Sequence, residues 1–528
     1  MTPARSRRRA GLLVPLFSCP STTSWGVGDI SDLPRLARWL AGAGLRVLQL
    51  LPVNEVAPGE QSPYSAISAM AIDPIYIAVP EVPDFAALGG PSSLSHTDRA
   101  ALAQAQASRV VDYATVRDVK HRALRAAFAW FEDYEWSRGT ARAQAFEAYV
   151  AAHAWWLDDY AVFRAIHASQ GERPWTDWPE GLARRDGDTL RDARHQLAAQ
   201  IRFRQYVQWL ADTQWHAARR STARHGVELF GDLPFMVDGD SADVWAHAGC
   251  FHLDASVGVP PDAFSATGQD WGMPVYNWDA LDADEYRWLR DRARRSAELY
   301  DGYRVDHLVG FYRTFGRWRA GGAPFFTPSH EDAQTRLGER ILTLLRAAGA
   351  EIIAEDLGVI PDFVRGSLAR LSVPGFRVAR WERDWHQPGQ PFRDPAQYPP
   401  CSVAVSGTHD TEPMAVWWAQ ATTEERALVC ATPTMVRVAQ GVDLVDAPYN
   451  PAVRDALLEA LFASGSDLLL MPVPDVFGSA ERINVPALVS PSNWVYRLPW
   501  PSDRLLDLVE VDYRRAQLRA WAEQYDRV

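Results

Sequence analysis

At 528 residues, 47% hydrophobic and 23% charged, the chain has ordinary globular composition with ample material for a core. An α/β barrel with insertions can absorb that length as one unit. The formal net charge of −12 argues against nucleic acid or an anionic membrane surface as partner, and no apolar run nears the roughly 20 residues that span a bilayer.

Cys19, Cys250, Cys401 and Cys430 are scattered, with neither zinc-site spacing nor the density of a disulfide framework. They read as free thiols in a reducing compartment, and a cytoplasmic location is expected. The basic residues are almost all Arg, with Lys120 the lone lysine. Each of the 22 Trp, taken singly, reads as a packing residue. As a population they favour a carbohydrate ligand, because flat aromatic faces suit sugar rings and the indole N–H can bond a hydroxyl.

The chain begins with a basic run, Arg5–Arg9, then the apolar Gly11–Phe17 and Ser18–Cys19. That order has the outline of a lipoprotein signal, but the apolar part is short and holds Pro15, so it reads better as a first buried strand. Asp32 then caps a helix carrying Leu33, Leu36, Ala37 and Leu40 on one face, ended by Gly44. Arg46–Val53 is the second strand. From about Ser95 to Ala223 the sequence is rich in Ala, Arg and Trp and predicts a mainly helical insertion, residues 95–223.

Val227–Pro234 resumes the strand pattern. Residues 237–281 are full of Gly, Pro and Asp, and a stretch of that length predicts an active-site loop or lid. Gly302–Asp306, Glu351–Glu355, Gly375–Trp381, Ser402–Gly407 and Asp467–Val473 complete eight apolar runs. Between two of them a helix places Leu337, Ile341, Leu344 and Leu345 on one stripe, ended by Gly349. Continuous rather than alternating hydrophobicity implies strands covered on both faces, as in a parallel sheet. The expected fold is therefore α/β, a (β/α)8 TIM barrel formed by residues 1–94 and 224–528, without a C-terminal β-domain.

Active-site groups of such a barrel sit at the C-terminal ends of its strands. Asp306 ends the fourth run, Glu355 the fifth, and Asp410 follows the seventh. An acidic residue at a strand end is, by itself, more often an ion pair or a helix cap; three on neighbouring and facing strands point to chemistry. Two carboxyl groups roughly 5–5.5 Å apart across a glycosidic bond perform double displacement with retention. Arg304, two residues before Asp306, lies on the same side of its strand and would hold Asp306 ionised as nucleophile. Glu355 is expected to keep its proton as general acid/base, helped by the charge of Asp306. Asp410 would accept sugar hydroxyls and stabilise oxocarbenium-like charge. His307 and His409 flank two of these residues as candidate hydroxyl donors, with a structural role equally open for His307.

Asp238, Asp240 and Asp243 cluster after the third run and invite a calcium reading. They lack the bidentate Glu that closes an EF-hand loop, so no metal is expected and Asp240 is kept as a candidate sugar ligand. No Gly-rich phosphate loop or dinucleotide fingerprint follows any strand, and no cofactor is expected.

These stretches, together with several motifs, resemble the amylomaltase or disproportionating-enzyme family of 4-α-glucanotransferases, glycoside hydrolase family seventy-seven in the α-amylase clan. The resemblance runs from Gly11 to about Pro499. Its landmarks are Ser62-Pro63-Tyr64-Ser65, Gly231-Asp232-Leu233-Pro234, Asp240-Ser241-Ala242-Asp243-Val244-Trp245, and Pro260-Pro261-Asp262-Ala263-Phe264 continuing through Gly268-Gln269-Asp270-Trp271-Gly272-Met273-Pro274. The resemblance implies that Tyr64 stacks on the glucan and that the last motif is a mobile loop over the site, with Asp262, Phe264 and Trp271 on its inner face. It implies Asp306, Glu355 and Asp410 as nucleophile, acid/base and transition-state stabiliser. It further implies maltooligosaccharides and other α-1,4-glucans as substrates, with glucose as an acceptor. The chain departs from the family's pattern at Val309, where many members carry Arg, and at Ala487-Leu488, where Gly-Thr is usual. A retaining α-1,4-glucan hydrolase on the same fold, and a noncatalytic glucan-binding protein, are the alternatives.

Overall fold

Each of the eight apolar runs becomes a strand, because each is sandwiched between the interior of a barrel and a layer of helices. The computed structural model describes residues 8–261, 268–486 and 488–528. Along it lie β1 (Arg9–Leu13), β2 (Val47–Gln49), β3 (Glu228–Leu233), β4 (Phe251–Val259), β5 (Gln269–Tyr276) and β6 (Gly302–Val305). They are followed by β7 (Thr314–Trp318), β8 (Phe325–Thr327), β9 (Glu351–Ala354), β10 (Gly375–Val378), β11 (Ser402–Val405) and β12 (Leu468–Pro472). A closed parallel barrel forms in the order β1-β12-β11-β10-β9-β6-β3-β2. Every expected run supplies one of its strands.

Alternation along the strands decides which side chains fill the barrel. Phe376 and Val378, Val403 and Val405, and Leu468 and Leu470 point inward with Val47, Phe230 and Ile353, while Ala404, Leu469 and Met471 join the layer between strands and helices. Phe230 occupies space that β6 vacates: a Cβ on Gly302 would lie 2.6 Å from its ring. The helix Asp32–Gly42 buries Leu33, Leu36, Ala37 and Leu40, and the chain leaves it through Gly44 at φ +72°. Glu331–Ala347 buries Leu337, Ile341 and Leu345 and is followed by Gly349 at φ +97°.

Between β2 and β3 run the long helices Tyr113–Tyr134, Ala141–Ser169 and Ala198–Arg224. Ala198–Arg224 packs on Asp32–Gly42 and on β3, so it closes the outer helical layer there, and Ala141–Ser169 lies along it. Tyr113–Tyr134 carries buried Lys120, whose ammonium donates to the carbonyls of Ile75 and Ile77 at 2.6 and 2.8 Å and ties the segment after β2 to the helices.

The stretch 237–281 is more regular than its composition suggests. It holds the helix Ala242–Ala246, the antiparallel pair β4 and β5, and the helix Trp278–Ala283. With β7 and β8 the pair forms a second sheet in the order β5-β4-β7-β8. Gly258, Gly272 and Pro274 lie within the pair and hide the strand pattern in the sequence. After β12 the described residues form the helices Val473–Phe477 and Val509–Gln524 and no strand. No described helix is long and apolar enough to cross a membrane. The four cysteines are unbridged, with Cys19 buried and Cys401 exposed.

Candidate active site

Barrel register brings the acidic strand ends to one level. Val305 pairs with Ala354, so Asp306 and Glu355 leave adjacent strands side by side. One strand over, Asp232 pairs with Arg304. The Arg304 side chain is the hub. Its Nη1 donates to both oxygens of Asp232 at 2.9 and 2.7 Å, and its Nη2 lies 2.9 Å from Asp306 Oδ1 and 3.1 Å from Glu355 Oε2. Two contacts of that length from one nitrogen keep those two oxygens within about 6 Å of each other. That fits the roughly 5–5.5 Å of a retaining pair rather than the roughly 6.5–9.5 Å that an inverting pair needs to admit water.

One cation among three carboxyl groups cannot neutralise them all. Burial pushes Glu355 up to about 7, against the pull of Arg304 and with a smaller push from Asp306. The sequence reading expected the charge of Asp306 to raise Glu355; removal from water is the larger cause. Burial likewise raises Asp232 to about 7, opposed by Arg304. Burial alone would lower Arg304, but Asp232, Glu355, Tyr64 and Asp306 outweigh it and hold the guanidinium well above its ordinary value. Backbone groups complete the set: the N–H of His307 donates to Glu355 Oε2 at 2.7 Å and that of Phe235 to Asp306 Oδ2 at 3.3 Å. The His307 ring meets Trp271 edge-on at 4.8 Å and Phe235 at 5.6 Å. Burial lowers its pKa to about 4, so the imidazole is neutral and adds no second cation.

Asp410, on the loop after β11, is held differently. Asn484 Nδ2 donates to its Oδ1 at 2.6 Å, His409 Nε2 lies 3.3 Å from its Oδ2, and Arg482 fixes its backbone carbonyl at 2.7 Å. His409 is buried, and that burial lowers its pKa. Its ring stacks on Tyr64 at 5.3 Å with 15° between planes, and Trp494 lies 5.8 Å from both rings. Tyr64 also donates its hydroxyl to Asp232 Oδ2 at 2.7 Å, which joins this aromatic wall to the Arg304 cluster.

Asp306, Glu355, Asp410, Arg304, Tyr64, His409 and Trp271 are thus linked around one mouth. Asp240 makes its bonds elsewhere: Oδ2 faces His167 Nε2 at 3.0 Å and Oδ1 accepts from the Trp175 N–H at 2.9 Å, both on the segment between β2 and β3. Its neighbours Asp238 and Asp243 accept from backbone and indole N–H groups. Among the described residues no group of three or more His, Cys, Asp or Glu is arranged to hold a metal. Asp262 and Phe264 lie outside the described residues. The sequence reading gave no role to Asp232, Asn484 or Trp494. For Asp232 the signal was available, since Gly231-Asp232-Leu233-Pro234 puts a carboxyl at a strand end just as β6 and β9 do.

Two carboxyl groups at this spacing on a parallel barrel are the equipment of a retaining enzyme of glycosidic bonds. Comparison with known proteins narrows the class. The 4-alpha-glucanotransferase family model matches residues 14–503. A 4-alpha-glucanotransferase of Thermus thermophilus is 32% identical over 547 residues, covering 99% of each chain. Another, of Chlamydia caviae, is 31% identical over 499 residues, covering 92% of this chain and 90% of its own. The amylomaltase from Streptococcus agalactiae, solved in complex with acarbose, superposes with a TM-score of 0.82 at 25% identity, over 99% of this chain and 100% of that one. The chain belongs to the 4-alpha-glucanotransferase family. The expected transferase is thereby met, and neither the hydrolase nor the noncatalytic binder is favoured.

Proposed function

We propose that the chain moves α-1,4-glucan segments from a maltooligosaccharide donor to the 4-hydroxyl of a second glucan or of glucose, with Asp306 as nucleophile and Glu355 as acid/base. The observation that supports this reading is the shared Arg304 nitrogen, 2.9 and 3.1 Å from one oxygen of each carboxyl group, which keeps the pair close enough for double displacement. Asp306 attacks the anomeric carbon, the bond to the departing chain breaks, and Glu355 gives its proton to the departing oxygen. Glu355 then takes the proton of the incoming 4-hydroxyl, whose oxygen displaces Asp306.

Asp410 accepts hydroxyls of the bound sugar and stabilises the positive charge that grows at the anomeric carbon. Tyr64, His409 and Trp494 offer rings against which a glucose unit stacks, and Trp271 on β5 faces the same space from above. The described residues of the 259–274 stretch, Trp271 among them, help to shield the glycosyl-enzyme from water, which transfer requires. As bonded here Asp240 braces the loop after β3 against the inserted segment 95–223, and its remaining lone pairs are left for a sugar hydroxyl. The charge balance and unbridged thiols suit a cytoplasmic enzyme acting on a soluble glucan.

Incubation with maltotriose, with products resolved by length over time, tests the reading. Longer oligosaccharides plus glucose at a constant count of reducing ends are expected. A rising count without longer products would sink the transfer claim.

A further inference from the structure

His307 follows the proposed nucleophile and is, among the described residues, the one whose backbone touches the proposed acid/base through a hydrogen bond to its side chain. Its φ is +41°, in the left-handed region that residues bearing a Cβ seldom occupy and that often marks a functional constraint. Its N–H, in the peptide that leaves Asp306, points at Glu355 Oε2 (2.7 Å), and the left-handed φ turns the chain that follows back onto β9. The Leu308 N–H meets the Glu355 carbonyl at 3.3 Å, and the His307 carbonyl accepts from Gly310 at 2.8 Å, so the whole turn is pinned to the end of β9. Arg304 Nη2 approaches the same Oε2 at 3.1 Å.

That pattern has a consequence for the proton. A carboxylic acid has one oxygen that carries hydrogen and one that only accepts. Oε2 faces two donors, a backbone N–H and a guanidinium, neither of which can give up its proton at working pH. A hydrogen on Oε2 would be aimed at donors. The hydrogen therefore belongs on Oε1.

We propose that His307 is a positioning residue whose left-handed backbone makes Oε2 the accepting oxygen of Glu355 and leaves Oε1 to carry the proton exchanged with the glycosidic oxygen. This rests on the reading of Glu355 as acid/base. The imidazole serves the turn: it is wedged between Trp271 of β5 and Phe235 of the segment after β3, and those contacts hold the backbone in its uncommon conformation. The charged groups that act on Glu355 are Arg304, which approaches the same Oε2 as the N–H, together with Asp306 and Asp410.

Substitutions separate ring from backbone. His307→Gly and His307→Asn lose the imidazole yet accept positive φ, whereas β-branched His307→Val resists it. Each is assayed on maltotriose, whose departing oxygen needs a proton, and on α-maltotriosyl fluoride, whose departing fluoride does not, with first-turnover fluoride release as the second readout. H307G and H307N should stay within about tenfold of the parent on both donors, while H307V should lose about 10²–10³-fold on maltotriose and little on the fluoride. Equal losses for all three variants on maltotriose would overturn the proposal in favour of the ring. So would an H307V loss as large on the fluoride as on maltotriose.

If H307V does not fold, Trp271→Ala replaces it, since it frees the ring without altering residue 307. A loss confined to maltotriose supports the proposal, and equal losses on both donors overturn it. E355Q provides the reference. If it shows no difference between the two donors, the acid/base reading itself fails, apart from anything His307 does.

Discussion

The two halves of the catalytic mouth hold their carboxyl groups in opposite ways. Around Arg304, Asp232, Asp306 and Glu355 share a single cation, and the side chains of Asp306 and Glu355 are 22% and 21% exposed. Across the mouth Asp410 is 39% exposed and rests on the Asn484 amide and a neutral His409. In the first half, geometry and protonation are set together, because moving any one carboxyl changes what Arg304 must balance. In the second, geometry is set by neutral donors and the charge is left available to a ligand. A nucleophile and a proton donor need the first arrangement, and a group that must meet sugar hydroxyls suits the second.

The largest expected effect comes from removing the hub. Arg304→Met leaves three carboxyl groups without their cation in a site that is nearly closed. Breaking a buried charge network at one partner costs about 3–5 kcal/mol, so the denaturation midpoint at neutral pH should fall accordingly and transfer should be lost. A stability change below about 1 kcal/mol would mean that the cluster does not depend on its cation.

Asp410→Asn should separate the halves. The amide keeps size and one oxygen to accept from Asn484, but it loses the charge and the second acceptor facing His409, and a group this exposed adds little to stability. Transfer from maltotriose should drop by about 10²–10³-fold in kcat with the unfolding midpoint nearly unchanged. A large loss of stability with modest loss of rate would reverse the comparison.

The smallest effect is a slope. Glu355 is raised from the ordinary 4.5 to about 7. Between those values the folded chain keeps a proton that the unfolded chain has released, so this contribution to stability is complete below about 4.5 and is lost as pH rises through about 7. Glu355→Gln removes the slope. The variant's stability relative to the parent should therefore improve from pH 5 to pH 8, read by denaturant unfolding at several pH values. A relative stability that stays flat over that window would show that Glu355 is held ionised. The alkaline limb of kcat/KM in the parent should fall near the same pH.

The barrel was legible because its strands are buried on both faces, so runs such as Ile352–Ala354 and Leu468–Met471 are continuously apolar. The sheet of β4, β5, β7 and β8 was not. Leu253 of β4 is exposed and Gln269, Asp270 and Gly272 of β5 are polar or glycine, so the pattern matched neither a buried strand nor a clean alternation. In the site, the strand-end rule recovered Asp306 and Glu355 and, through spacing of two, the approach of Arg304. It did not recover the bidentate pairing of Arg304 with Asp232, since a cross-strand partner depends on register, which no single strand encodes. Nor did the sequence show that Asp240, kept as a candidate sugar ligand, also bonds His167, which is far away along the chain.

Lys120 carries a consequence of another kind. An aldose in its open form condenses with a free amine to give a Schiff base, the first step of glycation. The only lysine of this chain is buried, and its ammonium is fastened to the carbonyls of Ile75 and Ile77. The remaining basic side chains are guanidinium or imidazole groups, so the surface presents no lysine amine to reducing sugars. Amine-directed coupling would likewise find no accessible lysine to attach to, whereas Cys401 offers an exposed thiol, with Cys250 and Cys430 partly buried.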